Sequence, residues 1–380
     1  MDSLRIGIVC YPTPGGSGVI ATELGKSLAS LGHKIHFITH GLPARLNHFD
    51  ENLFFHKVAP GDYPLFQEFT PYSLSLAVKI REVAVQYSLD IVHSHYAIPY
   101  ATSAFLAKEM LKTSNDKLRT ITTLHGTDIT LVGLMPSLYE ITRFSISVSD
   151  RITAVSDFLR QETIEQFKIE KPIEVIHNFV DCNEFRPANN DSVRCRFAAS
   201  DEKLMIHVSN FRKVKNIPTV IEVFDRVRKK CKSKLLLIGD GPEQETIKRM
   251  VEEKELNEDV YFLGDRESVA DILPIGDVFL LPSEHESFGL AALEAMSSGV
   301  PPVTSNIGGL HEVIQEGETG FLRDSDDVEG MSEVVIRLFE DDDFRGRIGI
   351  KARQKAKRDF GRDRIVAQYL DLYQQSMRED

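Results

Sequence analysis

Two glutamates, Glu286 and Glu294, have the spacing that most clearly suggests chemistry, because they lie eight residues apart across the start of a helix-like segment. An apolar, strand-like run leads into the polar loop that carries Glu286, and an Ala- and Leu-rich stretch follows Gly289. In open α/β sheets, ligands bind where loops leave the carboxyl ends of strands, and helix N-termini present N–H groups to anions. One carboxylate could accept hydrogen bonds from sugar hydroxyls and the other from a ribose. The segment 282–309 therefore predicts a sugar-nucleotide site.

The same residues also fit a purely structural role. Ser283 and Glu286 have the spacing of a capping box, in which the glutamate only satisfies backbone donors at a helix start. Glu294 on its own could be a solvated helix residue. The combination of E-x-F-G-L at 286–290, Glu294 and G-x-P at 299–301 is more specific than either glutamate alone, and it favours the binding site.

Length, composition and charge limit the class of protein. A chain of 380 residues can form two or three domains, and its 42% hydrophobic and 27% charged residues are ordinary for a globular protein. The net charge of -12 argues against nucleic acid as a partner. No apolar run approaches the roughly 18 residues of a membrane span, the first residues lack a signal-peptide pattern, and the four cysteines have no C-x-x-C spacing. These features predict a cytoplasmic location without stable membrane insertion.

Strand-like runs alternate with amphipathic helical runs in both halves of the chain, which is typical of βαβ units. The expected strands are 4–12, 34–40, 90–96, 119–128, 151–158, 203–210, 233–241, 259–265, 277–283 and 301–305. The predicted fold class is α/β, with two doubly wound Rossmann-like domains facing a central cleft. We expect a first domain at 1–175, a second at 176–361, and a C-terminal helix at 362–380 that packs back on the first.

A glycine-rich turn follows the first expected strand. Gly16, Ser17 and Gly18 begin a G-x-G-x-x-A sequence that matches the dinucleotide-binding fingerprint. That fingerprint also needs an acidic residue at the end of the second strand, to hold a ribose. Here the second strand ends in Thr39 and His40. A nicotinamide-dependent dehydrogenase is therefore the weaker alternative, no cofactor is predicted, and the glycines would let backbone approach a diphosphate or an acceptor.

Polar residues at strand ends raise the question of a metal site. His93 and His95 share one face of an expected strand, but no third ligand lies in register with them. The acidic cluster at 324–327 precedes a helical segment and is typical of helix capping. No catalytic metal is predicted.

Further short motifs occur over nearly the whole chain. They are G-G-x-G at 15–18, H-G-x-D at 125–128, V-I-x-N-x-V-D at 175–181 and G-D-G-P-E at 239–243. Together with the pair of glutamates, they resemble the retaining glycosyltransferases of family four, which have the two-domain GT-B fold. The resemblance implies a hexosyltransferase that works by same-face attack through an oxocarbenium-like state, with the departing phosphate accepting the acceptor's proton.

The resemblance also implies a donor site in the second domain. The family usually carries G-R-x4-K after the first strand of this domain. Lys215 matches the lysine, whereas Asn210 stands in place of the arginine. Arg212 could supply the missing charge, or Asn210 could donate a neutral hydrogen bond.

Each implied donor residue has a role. Lys215, Asn210 and the helix start at 288–290 would stabilise the diphosphate, Glu286 would orient sugar hydroxyls, and Glu294 would hold the ribose. The implied catalytic residues are His125, Lys215, Asn210 and Glu286. The implied donor-binding residues are Gly16, Asn210, Lys215, Gly264, Arg266, Glu286, Phe288, Gly289, Leu290 and Glu294, with Gly264 and Arg266 at the uracil edge.

The acceptor is implied by a closer likeness within the family. The segments 11–18, 93–101 and 123–133 are most similar to enzymes that join N-acetylglucosamine from UDP-N-acetylglucosamine to L-malate, the first step of bacillithiol biosynthesis. UDP-N-acetylglucosamine and L-malate are therefore the expected partners. The implied acceptor-binding residues are Ser17, Tyr96, Thr123 and Arg143.

Other interpretations stay open at this point. Arg143 suits a carboxylate because its planar fork binds both oxygens, but it could instead be a surface residue paired with Glu140 or Asp150. The acceptor could be an inositol phosphate or a lipid, and a non-catalytic sugar-nucleotide sensor is a further alternative. The sequence does not decide whether the protein is a homo-oligomer.

Overall fold

The computed structural model describes residues 3–13, 15–46, 50–59, 72–112, 118–188, 190–265 and 269–378. The chain forms two compact units, each built on its own parallel sheet. The first unit comprises Met1–His177 together with Ile365–Asp380, and the second comprises Asn178–Arg364.

The first unit is a doubly wound α/β domain. Its described strands are β1 (Arg5–Val9), β2 (Lys34–Thr39), β3 (Leu53–Lys57), β4 (Ile91–His95), β5 (Arg119–Leu124), β6 (Arg151–Ala154) and β7 (Ile173–Val175). Its described helices are α1 (Gly16–Ser30), α2 (Tyr72–Tyr87), α3 (Thr102–Leu111), α4 (Thr127–Thr130), α5 (Tyr139–Val148) and α6 (Asp157–Phe167). The strands pair in parallel in the order β3-β2-β1-β4-β5-β6-β7.

β1 is the strand at which the winding direction reverses. Ile6 pairs with Ile35 of β2 on one side and with Ile91 of β4 on the other. The connections after β1 and β4 therefore run to opposite sides of the sheet and leave a crevice at the carboxyl ends of these two strands. This switch point lies between the glycine-rich turn before α1 and the residues that follow His95.

The second unit repeats this winding. Its described strands are β8 (Lys203–Val208), β9 (Ser233–Ile238), β10 (Val260–Gly264), β11 (Val278–Leu281), β12 (Pro302–Ser305) and β13 (Phe321–Arg323), in the parallel order β10-β9-β8-β11-β12-β13. Its described helices are α7 (Asp191–Arg194), α8 (Ile217–Arg228), α9 (Gln244–Glu253), α10 (Leu290–Ser297), α11 (Leu310–Val313), α12 (Val328–Glu340) and α13 (Asp342–Phe360). The switch point of this sheet lies between β8 and β11.

The strands of both sheets are mostly apolar and buried, as expected for parallel sheets covered by helices on both faces. β4 departs from this pattern, since His93, Ser94 and His95 are all fully buried. Because a buried polar group is costly without a hydrogen-bond partner, these histidines must be accounted for by specific contacts.

The last helix, α14 (Arg362–Arg378), belongs to the first unit from Ile365 onward. Tyr369 and Tyr373 on this helix are fully buried, and Tyr373 Oη lies 2.7 Å from Nδ1 of His93. The contact anchors the C-terminal helix to the centre of the first sheet. Among the described residues, no helix combines the length and apolarity needed to cross a membrane.

We expect Tyr373→Phe to lower the free energy of unfolding by about 1–2 kcal/mol, because it leaves a buried ring nitrogen of His93 without its partner. Urea denaturation would measure the change. Tyr87→Phe is a matched control, since the Tyr87 hydroxyl accepts a hydrogen bond from the exposed Gln86 amide at 3.3 Å. Equal stability of the two variants would contradict the anchoring role of Tyr373.

Candidate active site

Lys215 and Glu286 meet at the switch point of the second sheet. Lys215 lies in the short helical turn after β8, and Glu286 lies in the loop after β11. Lys215 Nζ donates a hydrogen bond to Glu286 Oε2 at 2.7 Å, and the two side chains are 20% and 15% exposed. The structure thus brings together two residues 71 positions apart that the sequence assigned to the diphosphate and to the sugar hydroxyls.

Backbone contacts hold the two loops in this arrangement. The N–H of Glu284 donates to the carbonyl of Val214 at 2.8 Å, which joins the loop after β11 to the turn after β8. The N–H of Gly309 donates to the carbonyl of Glu286 at 3.0 Å. A Cβ at Gly309 would lie 2.2 Å from the carbonyl oxygen of Ser287, so only glycine permits this close approach.

The capping-box alternative for Glu286 is not found. The Ser283 hydroxyl is buried without a hydrogen-bond partner in the described structure, and the Glu286 carboxylate bonds to Lys215. Glu294 is 6% exposed, which excludes a solvated helix residue. Both glutamates therefore occupy positions that surface residues would not.

The start of α10 is suited to an anion. Gly289 precedes the helix with φ 96°, and its first turn has neither a side-chain cap nor an acidic residue. Phe288 is buried and Leu290 is partly exposed. The unsatisfied N–H groups of such a helix start carry a partial positive charge. This helix start follows directly on the loop that carries Glu286.

Asn210 is exposed in the loop after β8, as is Arg212. The G-D-G-P-E turn holds this loop: the N–H of Glu243 donates to the carbonyl of Phe211 at 2.9 Å. A Cβ at Gly239 would lie 1.8 Å from the carbonyl oxygen of Ser209. The turn after β9 therefore fixes the path of the loop that presents Asn210.

His207 is a residue that the sequence analysis missed. Its Nδ1 lies 2.8 Å from the carbonyl of Leu280, and its Nε2 lies 2.7 Å from Ser209 Oγ, so it joins β8, β11 and the loop after β8. Burial, together with the nearby charge of Lys215, lowers the pKa of His207 to about 4. A neutral histidine here leaves Lys215 as the cation of this group. The sequence does contain one signal for His207, since it is a polar residue in the otherwise apolar strand β8.

Only one of the two residues that the resemblance places at the uracil edge lies within the described chain. Gly264 ends β10 with φ 65°, and its carbonyl accepts a hydrogen bond from the N–H of Gly239 at 2.9 Å. Arg266 lies outside the described residues.

In the first unit, the glycine-rich turn opens α1. A Cβ at Gly18 would lie 2.5 Å from the carbonyl oxygen of Thr13 and 2.6 Å from that of Tyr11, so the turn requires glycine. The first turn of α1, with Gly16 and Ser17, has neither a side-chain cap nor an acidic residue. Like α10, this helix presents N–H groups at a switch point.

Tyr96 joins this turn to His125. Its phenol hydrogen-bonds to the side chain of Ser17, and burial raises its pKa to about 12. The rings of Tyr96 and His125 lie 5.2 Å apart. Tyr96 has φ 100°, a conformation that costs a non-glycine residue about 1–3 kcal/mol. Such strain is retained where the surrounding structure fixes a residue in place, as it does here between β4 and the following turn.

Asp128 has a structural role at the end of β5. Its carboxylate accepts hydrogen bonds from the N–H of Ala97 at 2.8 Å and of Gly126 at 3.2 Å, and burial raises its pKa to about 6. These bonds tie the turn after β4 to the turn after His125.

Thr123 is fully buried, and its hydroxyl is engaged from two sides. Thr123 Oγ1 lies 2.7 Å from His93 Nε2 and 2.7 Å from Thr153 Oγ1. A contact with an acceptor would require this hydroxyl to leave those partners.

Arg143 is exposed on α5 and makes no ion pair with any described residue. Asp150, one of its possible partners, bonds instead to Lys108 at 2.6 Å and to the N–H of Thr120 at 2.7 Å. In the described part of the chain, the guanidinium of Arg143 makes no hydrogen bond or ion pair with Tyr96 or His125.

Each unit has a group of polar residues at the switch point of its own sheet, and we call each group a half-site. The second offers a lysine, a helix start and two carboxylates, which suits a diphosphate and hydroxyl groups. The first offers a helix start, a hydroxyl, a phenol and a neutral histidine. Within the described ranges, no cluster of three or more His, Cys, Asp or Glu side chains could hold a metal ion.

We expect Gly239→Ala to destabilise the protein by roughly 1–3 kcal/mol more than Gly32→Ala. Both glycines have positive φ, but a Cβ at Gly32 meets nothing within 4 Å, whereas one at Gly239 meets the Ser209 carbonyl. Thermal unfolding of the two variants separates this clash from backbone strain. Equal losses would show that the turn after β9 does not hold the 209–211 loop.

Comparison with known proteins identifies the two halves of the chain separately. A family model described as Glycosyltransferase Family 4 matches residues 14–184, and one described as Glycosyl transferases group 1 matches residues 193–355. Solved structures share the fold: a glycosyltransferase from Rickettsia africae has a TM-score of 0.82 with 21% identity, covering 100% of both chains. The Anabaena protein Alr3699/HepE, in complex with UDP and glucose, has a TM-score of 0.80 with 17% identity, covering 98% of this chain and 99% of its own. The predicted GT-B fold class is confirmed.

Among proteins of similar sequence, the N-acetyl-alpha-D-glucosaminyl L-malate synthase of Bacillus anthracis is 45% identical over 99% of this chain and 98% of its own. The GPI3 subunit of phosphatidylinositol N-acetylglucosaminyltransferase from Saccharomyces cerevisiae is 28% identical over 82% of this chain and 70% of its own. With family models on both halves and a relative of this identity over nearly its whole length, the chain is a glycosyltransferase and belongs to family 4.

Proposed function

We propose that this enzyme transfers N-acetylglucosamine from UDP-N-acetylglucosamine to the hydroxyl group of L-malate, with retention of the α configuration. The observation that carries the proposal is the 45% identity, over 99% of the chain, to a relative named as the synthase of that product. The geometry of the two half-sites supports it, since one suits a diphosphate sugar and the other a small hydroxylated anion.

In the donor half-site, Lys215 and the start of α10 bind the diphosphate. The bond between the anomeric carbon and the β-phosphate oxygen breaks as the malate hydroxyl oxygen attacks from the same face. The malate proton passes to the departing phosphate. Negative charge grows on the leaving UDP, so a fixed cation and backbone N–H groups stabilise the transition state more than the ground state.

The ion pair between Lys215 and Glu286 prepares both residues for the donor. The 2.7 Å contact offsets much of the cost of holding either charge in a partly buried site. When the donor binds, the diphosphate replaces Glu286 as the partner of Lys215, and the carboxylate turns to sugar hydroxyls. Asn210 adds a neutral donor, Glu294 holds the ribose, and Gly264 with Arg266 forms the uracil edge.

In the acceptor half-site, Ser17 at the start of α1 binds one end of malate, whereas Gly16 in the same turn stays a proposed contact of the donor. Tyr96 shares this site through its hydrogen bond to Ser17. Arg143 supplies the cation for a carboxylate. Thr123 contributes to the site indirectly, through the hydrogen bond between its hydroxyl and His93. His125 lies beside the donor sugar.

A lipid acceptor is the second candidate, because five large apolar side chains are 38–52% exposed along the segment 131–144. These are Leu131, Leu134, Met135, Ile141 and Phe144. Arg143 is the sole Lys or Arg in that segment, however, and a surface that binds anionic lipid needs several cations. A small soluble acceptor is therefore favoured. The cytoplasmic location expected from the sequence stays a prediction, and the four free cysteines agree with it.

UDP release from UDP-N-acetylglucosamine tests the proposal directly. We expect L-malate to stimulate release far more than D-malate, other hydroxy acids, inositol phosphate or phosphatidylinositol vesicles, because the acceptor site has one cation and few donors. If the vesicles or inositol phosphate stimulate UDP release more than L-malate does, the assignment of malate as the acceptor is wrong. Tight UDP binding without turnover on any of these acceptors would favour a sensor.

Lys215→Ala should lower kcat by roughly 10²–10³-fold, with a smaller rise in KM for the donor, because leaving-group charge grows toward the transition state. Lys213→Ala is the matched control, since Lys213 is an exposed lysine in the same turn. Steady-state kinetics of the two variants measure the difference. A Lys215→Ala enzyme with the kcat of Lys213→Ala would place the diphosphate elsewhere.

A further inference from the structure

A second histidine lies directly behind His125. His95, the last residue of β4, is fully buried, and its Nδ1 lies 2.9 Å from Nε2 of His125. The two rings are stacked, with centroids 5.1 Å apart and planes inclined by 23°. The ring centroids of His93 and His95 lie 4.4 Å apart. His95 therefore has a fixed ring plane and one defined polar contact.

The remaining nitrogens of the pair differ in their surroundings. His95 Nε2 is buried without a hydrogen-bond partner in the described structure. His125 is partly exposed, and its Nδ1 has no partner among the described residues. Burial lowers the pKa of His95 well below its usual range and lowers that of His125 to about 3. Each ring is thus neutral and carries one N–H.

Two arrangements of protons could form the contact. If His125 donated its Nε2–H, the N–H of His95 would sit on the buried Nε2 with no acceptor. If His95 donates its Nδ1–H, the buried Nε2 carries only a lone pair. Buried N–H groups without an acceptor are rarer than buried acceptors without a donor, so the second arrangement is favoured.

We propose that His95 is a positioning residue that donates its Nδ1–H to Nε2 of His125 and so fixes His125 as the tautomer protonated on Nδ1. His125 then presents a neutral N–H donor to the substrates. The substrate side of this inference rests on the proposed function, whereas the tautomer does not.

A neutral donor suits the reaction that we propose. The anomeric carbon gains positive charge as the bond to UDP breaks, and a cationic imidazolium beside it would oppose that charge. A neutral N–H can still hold a substrate hydroxyl in place. His95 provides this state because it occupies Nε2 of His125 from the buried side and keeps that nitrogen from binding a second proton.

Three variants test the role of His95. His95→Phe keeps an aromatic ring but removes the donor, whereas His95→Asn keeps an N–H near the position of Nδ1. His36→Phe is the matched control, because His36 is 1% exposed in the same sheet and its Nδ1 lies 2.9 Å from Nε2 of His56, on which it stacks. Ring-nitrogen NMR of ¹⁵N-histidine protein reports the tautomer, and steady-state kinetics report the function.

We expect His125 to be protonated on Nδ1 in the wild type, in His95→Asn and in His36→Phe, and to be a mixture of tautomers in His95→Phe. His95→Phe should lower kcat by about 10- to 100-fold while KM for the donor changes less than about threefold, because misorientation acts on the transition state. His95→Asn should recover most of the rate, and His36→Phe should keep it.

An Nε2-protonated His125 in the wild-type enzyme would overturn the proposal, as would a His95→Phe variant with the tautomer and kcat of His36→Phe. Should His95→Phe fail to fold, the wild-type and His95→Asn spectra still decide the proton position. If the wild type shows the Nδ1 tautomer but no transfer to malate, the proposed function fails and the assignment of the tautomer stands.

Discussion

The parallel direction of every strand in both sheets is the constraint on which the candidate site depends. Parallel strands place all of their carboxyl ends on one edge, and the reversal of winding at β1 and at β8 separates the loops on that edge. Lys215 and Glu286 can meet only because β8 and β11 are neighbours in the sheet. The same geometry brings His125, at the end of β5, beside His95, at the end of β4.

In the donor half-site, the lysine and the glutamate that we expect to contact the donor form an ion pair with each other. Lys215 has a single carboxylate partner, the nearby His207 is neutral, and so are His93, His95 and His125 of the first unit. If the donor binds as we propose, its diphosphate meets Lys215 and the start of α10 rather than a broad basic surface. Such a local site would be compatible with a chain whose net charge is -12.

The sequence predicted the fold class because its central strands are continuous apolar runs that end in polar residues. It missed β3, β7 and β13, each of which forms an edge of its sheet. Edge strands contact one neighbour only and need fewer apolar residues: β3 (Leu53–Lys57) has no fully buried position, and β7 and β13 are three residues long. The motifs indicated Glu286 and Lys215 as donor residues, but not their ion pair, which depends on strand order. His207 was missed, and His95 was considered only as a metal ligand, because a histidine in a strand acquires a role only through partners that are distant in sequence.

The contact between Tyr373 and His93 has a consequence for synthesis on the ribosome. His93 is made early, but its partner lies 280 residues later, on a helix that completes the first unit. The second unit is contiguous and can close as soon as it has left the exit tunnel. Until α14 has been synthesised, Nδ1 of His93 lacks its partner at the centre of the first sheet. The first unit can therefore complete its fold only after the whole second unit has been made, and a chain truncated before α14 leaves a buried imidazole nitrogen unsatisfied.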